Sequence, residues 1–302
     1  MHISVNYGKT GLGISFDRDW EVKLIKKQNM PVLDDPLAAI SQAFSQGDES
    51  GSLEDAAKDK FSACILICDI TRPVPNGLIL PQLIERLIKA GIKKDCINAL
   101  VATGPHRPNK GDELLEIVGS KKVLETVRVE NHYARNDEDH LTLCTSKSGL
   151  PIKIDKHFAM ADLKIVIGLV EPHFMAGYSG GRKLVVPGVA HHQTISGFHT
   201  TKFLEHPGSI TCNLTENPFH EFQLEGIRKL SNLFVVNVGI HENRKLSEKY
   251  RKYTCVNNIS DVDSMICESM ERSDNKKIAI IPEGPYVIPI YKKEESDAQQ
   301  SR

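Results

Sequence analysis

Residues 171–203 concentrate the side chains of this sequence that suit acid–base chemistry, nucleophilic attack or metal binding. The segment, EPHFMAGYSGGRKLVVPGVAHHQTISGFHTTKF, holds four of the twelve histidines and a Gly180-Gly181-Arg182-Lys183 turn. Imidazoles titrate near neutral pH and bind transition metals, and a lysine amine becomes a nucleophile when it loses its proton. The segment therefore predicts a functional site.

Three polar loops, one of which opens this segment, follow apolar stretches of the chain. DITRP follows CILIC at Asp69, GPHRP follows INALVAT at Gly104, and EPHF follows KIVIGLV at Glu171. In open α/β sheets ligands bind outside the carboxyl ends of the strands. A proline beside a histidine or arginine also restricts the backbone that carries it. These loops are therefore predicted to form one binding site.

Each of these residues also has an ordinary structural explanation. Arg72 is consistent with a surface ion pair, Asp69 with a turn cap and His106 with a hydrogen-bonded loop histidine. His191 and His192 lie on a predicted helix, and at least one of them is expected to be exposed. Six further histidines are interpreted as structural or solvated: His132, His140, His157, His206, His220 and His241.

The glycine turn before Lys183 predicts close approach of the backbone to an anion, because glycines leave N–H groups accessible and a helix is predicted to follow. It is not the P-loop of nucleotide kinases, in which lysine directly follows glycine and precedes Ser or Thr. Here Arg182 precedes Lys183 and Leu184 follows it. No GxGxxG sequence follows a strand, which argues against a nicotinamide dinucleotide.

Apolar segments alternate with amphipathic ones along most of the chain. This rhythm predicts an α/β fold with a largely parallel or mixed sheet and helices on both faces. A hairpin is predicted at 2–6 and 11–15. The predicted strands are 62–69, 96–104, 125–131, 162–170 and 232–239, and the predicted helices are 36–46, 52–60, 77–91, 109–119 and 217–230.

The composition excludes several classes of partner. The net charge is -1, so no overall field favours nucleic acid. No apolar run reaches the ~18 residues of a membrane span, and the N-terminus lacks the pattern of a signal peptide. Seven scattered cysteines without a CxxC sequence predict a reduced, cytoplasmic protein.

Four motifs carry a resemblance to a known family: DITRPVP, ATGPHRP, EPHFMAGYSGGRKLVVPG and FHTTKF. In sequence, order and spacing they resemble the nickel-dependent lactate racemases and related 2-hydroxy acid racemases and epimerases. The resemblance covers about residues 1–240, which are similar to the N-terminal, cofactor-binding domain of that family. It implies an isomerase that interconverts enantiomers or epimers of a small 2-hydroxy acid.

The resemblance also implies a nickel-pincer nucleotide, a pyridinium mononucleotide that holds Ni(II) through carbon and sulfur and is made by dedicated cofactor-synthesis enzymes. It implies that Lys183 carries this cofactor through a thioamide and that His199 is the remaining nickel ligand. Carbon, sulfur and imidazole donors suit Ni(II) better than magnesium or calcium. The other cofactor contacts that we expect are Asp69, Thr71, Gly180 and Gly181.

The same resemblance implies that His106 and His173 are the paired acid–base groups and that Arg72 binds the substrate carboxylate. These assignments are chemically reasonable. Two enantiomers present the hydroxyl group differently, so two bases are needed, and histidine acts as acid or base near neutral pH. Arginine binds a carboxylate through two parallel hydrogen bonds.

The resemblance ends where the family continues into a second domain. We predict a domain at residues 1–242 and a short remnant of a second α/β domain at 243–302, with a helix at 261–272, a strand at 276–291 and a disordered tail. Three hypotheses stay open: an enzyme, which as a homo-oligomer would close its site with another subunit; a cofactor-binding protein without turnover; and a shortened, degenerate family member.

Overall fold

The computed structural model describes residues 1–5, 11–18, 21–24, 33–46 and 51–240, together with the backbone of residues 277–280. The chain divides into two units, Met1–Asn29 with Arg251–Arg302, and Met30–Tyr250. The predicted helix at 261–272 and the predicted boundary after residue 242 lie outside the described residues, so both stay predictions.

Strands and helices alternate through most of the described chain. The strands are β1 His2–Val5, β2 Leu12–Ser15, β3 Glu21–Leu24, β4 Ala63–Cys68, β5 Ile97–Ala102, β6 Arg128–Asn131, β7 His140–Thr145, β8 Pro151–Asp155, β9 Leu163–Leu169, β10 Pro172–His173, β11 Gly177–Tyr178, β12 Leu233–Val238 and β13 Lys277–Ile280. The helices are α1 Pro36–Gln46, α2 Leu53–Ala57, α3 Asn76–Lys89, α4 Asp112–Val118, α5 Lys121–Thr126, α6 Lys156–Met160, α7 Gly181–Val185, α8 His192–Phe198, α9 Thr201–Leu204 and α10 Pro218–Ile227, with 3-10 turns at Lys94–Cys96 and Asp137–Asp139.

The first unit contains two small sheets. β1 and β2 form the predicted antiparallel hairpin, and Ile3, Ile14 and Phe16 are buried on one of its faces. β3 pairs in parallel with β13, which confirms a strand at the start of the predicted segment 276–291.

A five-stranded sheet forms the centre of the second unit, in the order β12-β9-β4-β5-β6. Every neighbouring pair is parallel. All residues of β4 and β9 are buried, as expected for the central strands of a parallel sheet that is covered on both faces. Burying each Val, Leu or Ile side chain contributes about 1.5–3 kcal/mol. The predicted α/β fold is confirmed.

Local sequence signals set the ends of several helices. The Ser52 side chain accepts a hydrogen bond from the Asp55 N–H, and Asp55 bonds back to Ser52, which forms a capping box at α2. Asn217 caps α10 through the N–H groups of Phe219 and His220, with Pro218 in the first helical position.

The β7–β8 hairpin and the short helix α5 were absent from the sequence prediction. β7 is half-exposed along its length, so it lacks the continuous apolar run that marks the central strands. Its antiparallel pairing with β8 forms a separate two-stranded sheet beside the main one. Among the described residues, no helix is long and apolar enough to cross a membrane.

The sheet has a switch point between β4 and β9. These strands are neighbours, but α3 leads from β4 to β5 on one side, whereas α7 to α10 lead from β9 to β12 on the other. Because crossovers between parallel strands are right-handed, these two sets of helices cover opposite faces of the sheet. The diverging connections leave a crevice at the carboxyl ends of β4 and β9, where such folds bind ligands.

Close packing between α7 and the sheet requires glycine at two positions. A Cβ added at Gly168 would lie 2.6 Å from the Gly181 backbone nitrogen, and one at Gly181 would lie 2.6 Å from a methyl group of Val235. The Gly181 N–H also donates a 3.1 Å hydrogen bond to Asn237 at the end of β12. These contacts hold the start of α7 against β9 and β12.

We predict that Gly168→Ala destabilises the protein by about 1–3 kcal/mol, because its methyl group would meet rigid backbone. Chemical denaturation monitored by circular dichroism measures the change. Gly239→Ala is the matched control, since no atom lies within 4 Å of its added Cβ. Equal stability of Gly168→Ala and wild type would contradict the packing described for α7.

Candidate active site

The three predicted loops meet in one cavity of about 450 Å³ at the carboxyl ends of β4, β5 and β9. This volume is in the range of small-molecule binding sites. The cavity is lined by all of the predicted site residues except Gly181, namely Asp69, Thr71, Arg72, His106, His173, Gly180, Lys183 and His199. Residues that lie more than a hundred positions apart in the sequence, such as Asp69 and Lys183, therefore line the same cavity.

The imidazole of His106 is oriented by a buried carboxylate. Its Nδ1 lies 2.7 Å from Asp69 Oδ2, while Asp69 Oδ1 accepts hydrogen bonds from the Thr71 N–H at 3.1 Å and hydroxyl at 2.5 Å. The hydrogen bond to Asp69 raises the pKa of His106 against the opposing effect of partial burial. Because Nδ1 donates to the carboxylate, the neutral ring has its lone pair at Nε2.

The imidazole of His173 has the opposite arrangement. Its Nδ1 accepts hydrogen bonds from the N–H groups of Met175, at 3.4 Å, and Ala176, at 3.2 Å, and its ring stacks on Phe174. Burial, followed by the nearby charges of Lys183 and Arg72, lowers the pKa of His173 to about 3. His173 is therefore neutral near pH 7, with its proton on Nε2.

Arg72 forms an ion pair, as its ordinary structural explanation allows, with a partner that the sequence did not indicate. Its Nη1 lies 3.0 Å from Glu171 Oε1, in the loop that follows β9. Glu171 Oε2 is buried and has no hydrogen-bond partner among the described residues. The Arg72 guanidinium thus lines the cavity with one edge already held by a carboxylate.

Lys183 lies in α7, directly behind the glycine turn. Burial lowers the pKa of its amine to about 7, assisted by the charges of Arg72 and Arg182 and opposed by Glu171. A large fraction of Lys183 is therefore unprotonated near neutral pH, which is the form that attacks an electrophile.

His199 ends α8 and has one ring nitrogen engaged. Its Nδ1 donates a 2.8 Å hydrogen bond to the Ile195 carbonyl, and its ring packs against Phe198 and Phe219. Burial lowers the pKa of His199, which keeps the ring neutral. A neutral imidazole with Nδ1–H bonded to a backbone carbonyl is the usual state of a histidine that binds metal through Nε2.

The glycines have a packing function in the structure. Gly180 has φ +109°, a conformation that favours glycine, and it lines the cavity. The Gly181 N–H is bonded to Asn237 and is not free for a ligand in this conformation. The predicted cofactor contacts of Gly180 and Gly181 stay predictions.

Four histidines outside the cavity, His132, His140, His191 and His192, form a separate cluster near the start of α8. His132 and His140 approach to 2.9 Å between their Nε2 atoms, and His191 Nε2 lies 2.7 Å from Asp137. His191 is fully buried and His192 is partly exposed, and burial lowers the pKa of His132 to about 3. The structural interpretation of His132 is consistent with this position.

The chain is similar in sequence to known proteins of one family. A family model described as the lactate racemase N-terminal domain matches residues 7–211. The chain is 34% identical over 229 residues to a lactate racemase of Lactiplantibacillus plantarum, covering 72% of this chain and 53% of that protein. It is 31% identical over 251 residues to a lactate racemase of Thermoanaerobacterium thermosaccharolyticum, covering 81% and 58%.

Solved structures show the same fold. The lactate racemase apoprotein from Thermoanaerobacterium thermosaccharolyticum matches with a TM-score of 0.68 and 32% identity, covering 80% of this chain and 56% of that one. A protein from Thermotoga maritima matches with a TM-score of 0.58 and 24% identity, covering 69% and 52%, which supports the fold alone.

Fold and site together define an α/β protein with a cavity at the switch point of a parallel sheet. The pocket combines a lysine, an arginine and three histidines. The chain belongs to the lactate racemase family, whose N-terminal domain matches residues 7–211. It spans just over half the length of the relatives that it matches.

We predict that Asp69→Asn lowers the pKa of His106, because the carboxylate that stabilises the imidazolium is lost. Titration of the His106 ring signals by NMR measures this shift. Glu113→Gln is a suitable control, since Glu113 pairs with the neighbouring Arg107. An unchanged pKa of His106 in Asp69→Asn would show that Asp69 does not determine its protonation.

Proposed function

We propose that this chain is the cofactor-holding part of a racemase or epimerase that acts on a small 2-hydroxy acid such as lactate. One observation carries the proposal: Arg72, His106, His173, Lys183 and His199 line a single cavity at the switch point of the sheet. Each of these side chains has a distinct chemical use in that reaction. The family relationship supports the same substrate class.

The residues around the cavity fit a nickel-pincer nucleotide. Lys183 supplies a partly deprotonated amine for covalent attachment, and His199 presents Nε2 while Nδ1 is bonded to a carbonyl. No three His, Cys, Asp or Glu side chains among the described residues could hold a metal ion by themselves. Further donors would therefore come from the cofactor. When bound, this group supplies an acceptor for the hydride of the substrate Cα.

Arg72 is proposed to bind the substrate carboxylate. A guanidinium presents several N–H groups in one plane, so the edge that does not face Glu171 can bind a second carboxylate. Glu171 holds Arg72 Nη1 at 3.0 Å and thus limits its rotation. Fixing the carboxylate leaves Cα and its hydroxyl free to reach either histidine.

The two histidines are proposed to act on the hydroxyl group, from different starting states. In its neutral form, His106 has its lone pair at Nε2 and accepts the hydroxyl proton there, and Asp69 stabilises the imidazolium that forms. His173 presents Nε2–H and donates a hydrogen bond to the substrate oxygen. To accept a proton at Nε2, His173 must first change tautomer and release the N–H groups of Met175 and Ala176.

A second candidate function is binding of the cofactor without turnover. The observation that favours it is the ion pair between Arg72 and Glu171, which already engages part of the guanidinium that a substrate carboxylate would need. Racemisation requires a positioned substrate and exclusion of water. Conversion of D-lactate to L-lactate by cofactor-loaded protein, with larger 2-hydroxy acids tested in parallel, separates the two functions. No racemisation of any of these acids would favour the binding function.

We predict that Lys183 becomes covalently modified when the chain is produced together with cofactor-synthesis enzymes. Intact mass and peptide mapping show the added mass and its position, and metal analysis shows nickel. Lys183→Arg should lose the modification, whereas Lys202→Arg, at an exposed position on α9, should keep it. An unmodified Lys183 peptide in nickel-loaded protein would contradict the assignment.

We predict that His199→Ala loses most of the bound nickel, while His106→Ala and His173→Ala retain it. Loss of a general base typically lowers the rate by ~10²–10⁴-fold, so the latter two variants should hold metal but exchange substrate hydrogen slowly. His192→Ala controls for loss of an imidazole on α8. Wild-type nickel content in His199→Ala would remove His199 from the metal site.

A further inference from the structure

Arg182 is a partly buried arginine whose charge faces backbone carbonyls. Its Nη2 donates to the carbonyls of Ala176, at 3.0 Å, and Tyr178, at 2.7 Å, and its Nη1 donates to that of Ser179 at 3.2 Å. Among the described residues no carboxylate forms an ion pair with it, and its Nε is buried without a partner. All the hydrogen bonds described for Arg182 therefore go to the backbone of one segment, residues 176–179.

That segment forms one side of a small hairpin that carries His173 on its other side. β10 pairs with β11 through His173 opposite Gly177 and Pro172 opposite Tyr178. At the open end of the hairpin, Ser179 exchanges hydrogen bonds with Glu171. The three carbonyls that bind Arg182 thus lie along the strand and turn that face His173.

Two hydrogen bonds at Ala176, joined by its backbone, connect Arg182 with the His173 ring. Arg182 Nη2 binds the Ala176 carbonyl, and the Ala176 N–H donates to His173 Nδ1 at 3.2 Å. The planar guanidinium group of an arginine binds several acceptors at once and holds them in fixed positions. By holding the residues 176–179 backbone, Arg182 orients the N–H donor that determines which nitrogen of His173 carries the proton.

We propose that Arg182 is a positioning residue that holds His173 in its Nε2–H tautomer and ties the His173 hairpin to the helix that carries Lys183. The inference extends the proposed function, since His173 is one of its two acid–base groups. It requires only the contacts of the cofactor-free protein, so it can be tested independently of racemase activity.

The direct test is the tautomer of His173 in Arg182→Lys. Lysine keeps the positive charge, but a single ammonium group cannot bind three carbonyls in the geometry of the fork. Long-range ¹H–¹⁵N NMR spectra of protein labelled in histidine distinguish protonated from unprotonated ring nitrogens, and His173→Gln assigns the signals. At pH 7.5 wild type should show a protonated Nε2, and Arg182→Lys a mixture of tautomers.

Arg86→Lys is the matched control. Arg86 also binds several acceptors through its fork, namely Ser41, Ser45 and Glu54, but it connects α3 with α1 and α2 away from the cavity. This substitution should lower stability and leave the His173 tautomer unchanged. If Arg86→Lys changes the His173 tautomer as much as Arg182→Lys does, the proposal is overturned. A general loss of stability would then explain both effects.

Kinetics of the cofactor-loaded protein provide a second readout. If the chain racemises lactate, Arg182→Lys should lower kcat by roughly 10²-fold, as expected for a misplaced acid–base group, with KM little changed. If the wild-type protein is inactive, this result counts against the proposed function. The NMR test of the His173 tautomer still applies, because it uses the cofactor-free protein. If Arg182→Lys does not fold, wild type alone decides: a protonated Nδ1 in neutral His173 would overturn the proposal.

Discussion

The parallel pairing of β4 with β9 is the constraint on which the site depends. Their register, Ala63 opposite Leu163 through Leu66 opposite Val166, brings the two carboxyl ends to the same edge of the sheet. The connections that follow diverge to opposite sides, so neither loop covers the other. The crevice between them receives Lys183 from α7, because glycines allow that helix to pack directly on β9.

Burial, followed by nearby positive charge, lowers the pKa values of Lys183 and His173 in this crevice. Arg72 and Arg182 flank Lys183, and Glu171 offsets only part of their charge. Burial of Lys183 and His173 disfavours their charged forms, and the nearby arginine charges act in the same direction. The amine of Lys183 is therefore partly neutral and the His173 ring is neutral. His106 differs because the Asp69 carboxylate stabilises its charged form. The same pocket therefore contains two histidines with opposite tautomers and opposite pKa shifts.

The central sheet and most of the cavity could be predicted from the sequence, because continuous apolar runs mark buried parallel strands and the polar residues follow them directly. Several contacts in the site leave no recognisable pattern in the sequence. Arg182 acts on backbone carbonyls and Asn237 on a backbone N–H, and neither bond requires a particular residue type in its partner. The pairing of Arg72 with Glu171 depends on strand order, which a single sequence leaves open. β7 is half-exposed and β8 is only five residues long, so neither strand carries the continuous apolar run of the central strands.

The most direct test of this account is the pKa of Lys183 in the cofactor-free protein. Brief acetylation across pH 5–10, followed by quantification of the Lys183 peptide by mass spectrometry, measures the unprotonated fraction. Burial and the two arginines predict a midpoint near 7, and Glu171→Gln should lower it further because an opposing charge is removed. A midpoint near the ordinary lysine value of about 10.4 would contradict the account.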